Sequence, residues 1–171
     1  MNAPSAMIPP TKPANGQQHR ILLVDDDPAI RQILMRLLMA ENYTVLSAAN
    51  GIEALALTDT TEFDLVLLDL NMPLKDGWET FEELSASDPL LPVIIITARP
   101  NQFFPALTAR VGALLEKPLD FTKLFETIHD LIEEPELGRL ARLAGRSTSF
   151  SYVPPMVTPA LPAKHTFLKP Q

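Results

Sequence analysis

Five short apolar runs alternate with segments whose apolar residues recur at helical spacing, and this alternation over about 115 residues is the strongest constraint on the fold. The runs are Ile21–Val24, Tyr43–Ala48, Phe63–Leu68, Val93–Ile96 and Gly112–Glu116. Strands separated by helices cannot pair as hairpins. They pair in parallel, with the helices packed on both faces. Val93–Ile96 is wholly β-branched and Phe63–Leu68 mostly apolar, as strands covered on both sides should be. The chain is therefore expected to form an α/β fold with a doubly wound, five-stranded parallel sheet.

Helix boundaries are marked by capping chemistry. Asp27-Pro28 places an oxygen acceptor before a proline at the first helical position. The helix that follows sets Ile30, Ile33, Leu34, Leu37 and Leu38 on one face and ends near Glu41-Asn42. Asn50 caps a second helix with Ile52, Leu55 and Ala56 inward, and a third starts at Gly77 or Trp78 with Trp78, Phe81 and Leu84 inward. Asp120 caps the last, in which Phe121, Leu124, Phe125, Ile128, Leu131 and Ile132 keep a 3.6-residue period. Between Thr97 and Lys117 only nineteen positions must hold a loop, a helix and a strand, and Pro100 and Pro105 both fall there. A proline inside a helix costs about 3 kcal/mol, so the fourth helix is expected to be short, starting near Pro105 or irregular from Asn101. Phe103 and Phe104 are read as core plugs.

The flanks differ in texture. Residues 1–18 carry four prolines and read as a disordered arm, with the folded unit over residues 19–134. Residues 135–146 can form a short basic helix with Leu137, Leu140 and Ala144 on one side and Arg139, Arg142 and Arg146 mostly on another. Residues 147–171 read as a disordered, Pro-rich tail. From Arg20 to Glu134 there are 20 acids and 8 bases, a net −12 within a chain of −7, which argues against nucleic-acid binding by the folded part. No cysteine is present, so disulfides and thiolate chemistry are excluded. The apolar runs are too short to span a bilayer and the first ten residues hold three prolines, so no signal peptide is expected and the expected location is cytoplasmic.

Parallel strands deliver their carboxyl ends to one edge, where open α/β sheets bind ligands. Here those ends carry Asp25-Asp26, Asp69, Thr97 and Lys117. Two carboxylates about 4 Å apart repel by roughly 4 kcal/mol at an effective dielectric near 20. A divalent cation removes that cost, and hard oxygen donors without His or Cys suit Mg2+ better than zinc. An Asp beside Mg2+ and a lysine can accept a phosphoryl group, with Thr97 placed to hydrogen-bond the product. Asp27 is read as a cap rather than a ligand and Asp76 as turn chemistry; His19, His129 and His165 show no metal-like or acidic pattern.

The segments ILLVDDDP, VLLDLNMPLKDGW, VIIITA and LLEKPLD, in that order and spacing, resemble the response-regulator receiver domain, over about Arg20 to Glu134. The resemblance implies a flavodoxin-like (βα)5 fold that acts as a phosphoacceptor switch and not as an enzyme. It implies Asp69 as phosphoacceptor and Asp25 and Asp26 as the acidic pair that binds Mg2+, Asp26 directly and Asp25 mainly through water. The backbone carbonyl of Asn71 would complete the metal shell. Thr97 matches the switch hydroxyl, Ala98 its small neighbour and Lys117 the lysine that pairs with the acceptor, with a cis bond before Pro118. The implied partner is a sensor histidine kinase or a histidine phosphotransfer domain, in two-component or phosphorelay signalling, with output through protein contacts. Other readings are a phosphate-independent interaction module of the same fold and a DNA-binding regulator using the basic tail. One departure stands out: Leu114 occupies the position, three residues before the lysine, where the family usually carries an aromatic.

Overall fold

The computed structural model describes residues 18–99, 101–146 and 150–156. The strands are β1 (Arg20–Val24), β2 (Thr44–Ala48), β3 (Leu65–Asp69), β4 (Val93–Thr97), β5 (Ala113–Glu116) and β6 (Ser151–Val153). The helices are α1 (Pro28–Ala40), α2 (Gly51–Thr58), α3 (Gly77–Ser87), α4 (Phe103–Ala109), α5 (Phe121–Ile132) and α6 (Glu136–Leu143). All neighbouring strands are parallel, in the order β2-β1-β3-β4-β5-β6.

Side chains of successive strand residues enter opposite layers. Leu22 and Val24 of β1 join Ala54, Phe81, Leu84 and Ala106 on the face covered by α2, α3 and α4. Ile21 and Leu23 join Leu34, Leu38, Leu124, Ile128 and Leu131 on the face covered by α1 and α5. Each fully enclosed Leu or Ile contributes about 1.5–3 kcal/mol relative to exposure. The caps fall where the sequence marks them. Asp27 accepts from the amides of Ala29 and Ile30, and Asp120 from that of Lys123. Asn50 accepts from the Glu53 amide, while Glu53 reaches back to the Ala49 amide.

Several expectations are corrected. The sheet has six strands, because residues 151–153 of the expected disordered tail pair with β5: Ala113 faces Ser151, Leu114 faces Tyr152 and Leu115 faces Val153. An edge strand offers unpaired backbone groups, and Ser-Tyr-Val is a segment able to take them. The expected arm at residues 1–17, and the tail at 147–149 and 157–171, lie outside the described residues. Helix α4 begins at Phe103, two residues before Pro105, because a proline in the first turn forfeits no intrahelical bond. Phe103 packs on the core, whereas Phe104 is 74% exposed. Ile52 and Ala56 of α2 point outward and Ala54 and Leu57 lie inward. Close approach sets this orientation: a Cβ on Gly51 would lie 2.0 Å from Thr80 Oγ1.

The arginines of α6 occupy its inner side. Arg142 is 8% exposed and binds Glu134 at 2.8 Å and the Arg110 carbonyl at 3.3 Å. Arg139 donates to the carbonyls of Leu131 (3.3 Å) and Ile132 (3.0 Å), satisfying the end of α5. Leu137 and Leu140 are left outside. A guanidinium that can serve the free carbonyls of a helix end and a nearby carboxylate outcompetes leucine for the inner position. Among the arginines of residues 135–146, Arg146, beyond the end of the helix, is the exposed one.

Tyr43 is buried where α1 returns to β2, and burial, reinforced by Glu41 and Glu133, pushes its phenol up to about 12. A raised acid keeps its proton when folded and releases it near 10 when unfolded, so stability falls as pH rises from 10 toward 12. At about 1.4 kcal/mol per pH unit, urea unfolding should lose about 1–3 kcal/mol between pH 9 and 12 from this residue. Tyr43→Phe should lose correspondingly less.

Candidate functional site

The carboxyl ends of β1, β3, β4 and β5 meet at one rim, beside the point where the chain's connections diverge from β1 to opposite sides of the sheet. Asp25 follows β1, Asp69 ends β3, Thr97 ends β4 and Lys117 follows β5. Asp25 is 2% exposed, Asp69 4% and Thr97 0%. The Lys117 ammonium donates to Asp69 Oδ2 at 2.7 Å and Asp25 Oδ2 at 3.0 Å. The remaining oxygens are also occupied: Asp25 Oδ1 accepts from the Asp27 amide at 2.9 Å, and Asp69 Oδ1 from the Asn71 amide at 3.0 Å. Asp26 is exposed, and Asp25, Asp26 and Asp69 each bring an oxygen within 4.8 Å of the others.

Three carboxylates against one ammonium leave the cluster two charges negative. Burial pushes the Asp25 carboxyl above its ordinary range, only partly offset by the Lys117 hydrogen bond. Burial would lower Lys117, but its hydrogen bonds to Asp69 and Asp25 outweigh that and hold its pKa above the ordinary lysine value. The donor set is oxygen alone and the net charge of the cluster matches a divalent cation, so these residues fit a hard metal ion. The peptide bond between Lys117 and Pro118 is cis, as the resemblance implies.

Position by position, Asp25, Asp26, Asp69, Asn71, Thr97 and Lys117 are gathered at this rim. Asp27 faces the start of α1 as a cap. Asp76 caps α3 through the Trp78 amide and also pairs with Arg99 at 3.0 Å, a role beyond turn chemistry. Arg99 was not singled out from the sequence. Its Nε donates to Asn71 Oδ1, and its amide donates to Thr97 Oγ1 at 2.9 Å. No spacing rule marks it; only proximity to Asn71 and Asp76 across two loops does. Behind the start of α3, a Cβ on Gly77 would lie 2.5 Å from the Asp69 carbonyl oxygen, so the helix can approach the β3 end only with glycine there. His19, assigned no partner from sequence, lies 3.6 Å from Asp64.

The response-regulator receiver domain model matches residues 21–129. The chain belongs to the response-regulator receiver domain family. Among curated relatives, this receiver is 40% identical over 126 residues to the transcriptional regulatory protein ZraR of Klebsiella oxytoca, covering 72% of the chain and 28% of that protein. It is 37% identical over 116 residues to GlrR of Escherichia coli, covering 67% of the chain and 26% of GlrR. The chain thus spans about a quarter of the length of these relatives. Its fold is similar to a CheY-like receiver from Methanospirillum hungatei (TM-score 0.65, 31% identity, 68% of this chain and 95% of that one). It is also similar to TrrA of Thermotoga maritima, solved in complex with Mg2+-BeF (TM-score 0.63, 33% identity, 67% and 99%). Among the described residues no helix is long and apolar enough to cross a membrane.

Lys117 is the cation that makes the two enclosed carboxylates tolerable. Lys117→Met should cost about 3–5 kcal/mol at pH 7 without divalent ions, read by denaturant unfolding. Asp25 has a raised folded pKa, so the folded receiver takes up its proton before the unfolded chain does, and stability rises as pH falls through that folded value. Without the Lys117 hydrogen bond and charge, which lower Asp25, the variant takes up this proton at higher pH than the wild type does, so its deficit should shrink as pH falls.

Proposed function

We propose that this receiver accepts a phosphoryl group on Asp69 from a phosphohistidine of a sensor histidine kinase or histidine phosphotransfer domain and signals through protein contacts. The single observation that carries this is the Lys117 ammonium held between Asp69 and Asp25, with Asp26 adding a third carboxylate. A carboxylate oxygen of Asp69 attacks phosphorus and the P–N bond breaks. Its electron pair leaves on the imidazole nitrogen, and an aspartyl phosphate remains. Lys117 and Thr97 are the groups of this chain placed to stabilise the added oxygens, by charge and by a hydroxyl donor. Mg2+ would be held by Asp25, Asp26, Asp69 and the Asn71 backbone carbonyl, where it supplies charge neutralisation on the transferring oxygens. On this reading the protein is a switch with at most slow self-dephosphorylation, and it works in the cytoplasm. A phosphate-independent module would not need this rim of enclosed charge.

An apolar groove of about 240 Å³ opens beside the site, lined by Ile30, Ile33, Leu34, Lys117, Pro118, Leu119 and Phe121. Ile33, expected inward on α1, is 53% exposed at this groove. Lys117 belongs to both the groove and the acceptor cluster, so a donor seated here would bring its phosphohistidine to Asp69. This groove is where the proposal seats the phosphodonor.

Incubation with acetyl phosphate and Mg2+ should add one phosphate to the wild type and none to Asp69→Ala by intact mass; equal labelling would place the acceptor elsewhere. Ile33→Glu should slow transfer from a phosphohistidine protein by about tenfold or more while leaving acetyl phosphate labelling unchanged. Equal slowing of both reactions would remove the groove from donor docking.

A further inference from the structure

The described end of the chain lies on the sheet edge and is tied, through one side chain, to the acceptor site. After α6 is anchored by Arg139 and Arg142, residues 150–156 run along β5, in parallel register over Ser151–Val153. Past the strand, the Met156 amide donates to the Pro118 carbonyl at 2.9 Å, next to Lys117. A three-residue strand is a weak attachment by itself. Its further hold is aromatic: Phe150 and Tyr152 are i, i+2 neighbours on one face, and both meet Phe103 edge-on, at 5.6 and 5.2 Å between centroids. Such contacts contribute about 0.5–1.5 kcal/mol each beyond area burial.

Phe103 is the first residue of α4, and the residues before it are tied to α3 and to the acceptor rim. Gln102 gives this seven-residue helix no side-chain cap. Instead, Gln102 Oε1 accepts from Trp78 Nε1 at 3.0 Å. Upstream, the Arg99 amide donates to Thr97 Oγ1 and the Arg99 guanidinium bridges Asn71 and Asp76. A dianion on Asp69 offers new charged acceptor oxygens to the Thr97 hydroxyl, and to the Arg99 guanidinium in competition with its existing pair to Asp76. Movement of either bears on Phe103, whose ring lies between the core and the aromatics of residues 150 and 152.

We infer that residues 150–156 are a strap occupying the β5 edge, and that the acceptor site releases it through α4 and Phe103, exposing that edge to an extended partner strand. This rests on Asp69 being the acceptor. The strap shows what the edge takes: a segment added parallel to β5, with aromatic side chains at two alternate positions facing α4, a small residue between them and a β-branched one after them on the α5 side. Val153 packs on the α5 side, as that alternation requires.

The test is amide hydrogen exchange on the full chain with and without Mg2+ and beryllofluoride, with bound fluoride followed by 19F NMR in the same samples. The Met156 amide, bonded to the Pro118 carbonyl, and whichever of the Tyr152 and Val153 amides is turned toward β5 should exchange about tenfold faster or more with beryllofluoride, and a labelled peptide of residues 150–156 should bind only then. Phe103→Ala should raise strap exchange without the ligand while still binding beryllofluoride. Beryllofluoride bound with strap exchange unchanged overturns the strap and leaves the acceptor reading standing. No bound fluoride signal overturns both. A Phe103→Ala variant whose strap exchanges like the wild type, with β1 and β3 amides still protected, shows that Phe103 does not hold the strap.

Discussion

The Lys117 ammonium between Asp25 and Asp69 is the contact on which the arrangement of the rim depends. Two nearly enclosed carboxylates come from adjacent strands, β1 and β3, and neither could stay ionised beside the other without a cation. The lysine comes from the end of β5, and the order β1-β3-β4-β5 places it three strand spacings from β1 and two from β3. The lysine side chain and the two carboxylates lean toward one another to close that distance, across the end of β4 at Thr97. The neutralisation is incomplete, since Asp26 adds a third negative charge near the surface. The fold thus holds a deficit of positive charge at the one edge where the sheet can receive a ligand, and cation binding there relieves repulsion that packing alone cannot.

Much of this was legible because the signals are local. Asp27, Asn50 and Asp120 cap the helices they precede, and the strand runs end at the residues that reach the rim. Convergence of Asp25, Asp69, Thr97 and Lys117 needed only the rule that parallel strands finish on one edge. What escaped was decided by neighbours distant in sequence. The faces of α1 and α2 were misjudged at Ile33 and Ile52, since a groove formed with the loop after β5, and the close approach of Gly51 to Thr80, override the apolar period. The arginines of α6 turn inward because Glu134 and the free carbonyls of α5 are there to receive them. No periodicity encodes that exchange of leucine for arginine.

Leu114 illustrates the same lesson from the other side. It departs from the family pattern by lacking an aromatic, yet its partner across β5 and β6 is Tyr152, whose ring meets Phe103 on α4. The aromatic surface beside α4 is assembled from the tail rather than from β5 itself. Read residue by residue, the position looks depleted; read in three dimensions, the ring has moved to the adjoining strand. The same short α4, started by a Phe and carrying a proline in its first turn, sits between that aromatic surface and the loop bearing Thr97 and Arg99.

The way the sheet stops has a consequence for self-association. A parallel sheet with a bare outer strand is a template on which like chains can stack without limit. Here the outermost strand is three residues long and runs straight into Pro154 and Pro155, which have no N–H to offer a seventh strand. On the β5 side the molecule thus terminates its own ladder, and leaves β2 as the outer strand through which like sheets could meet.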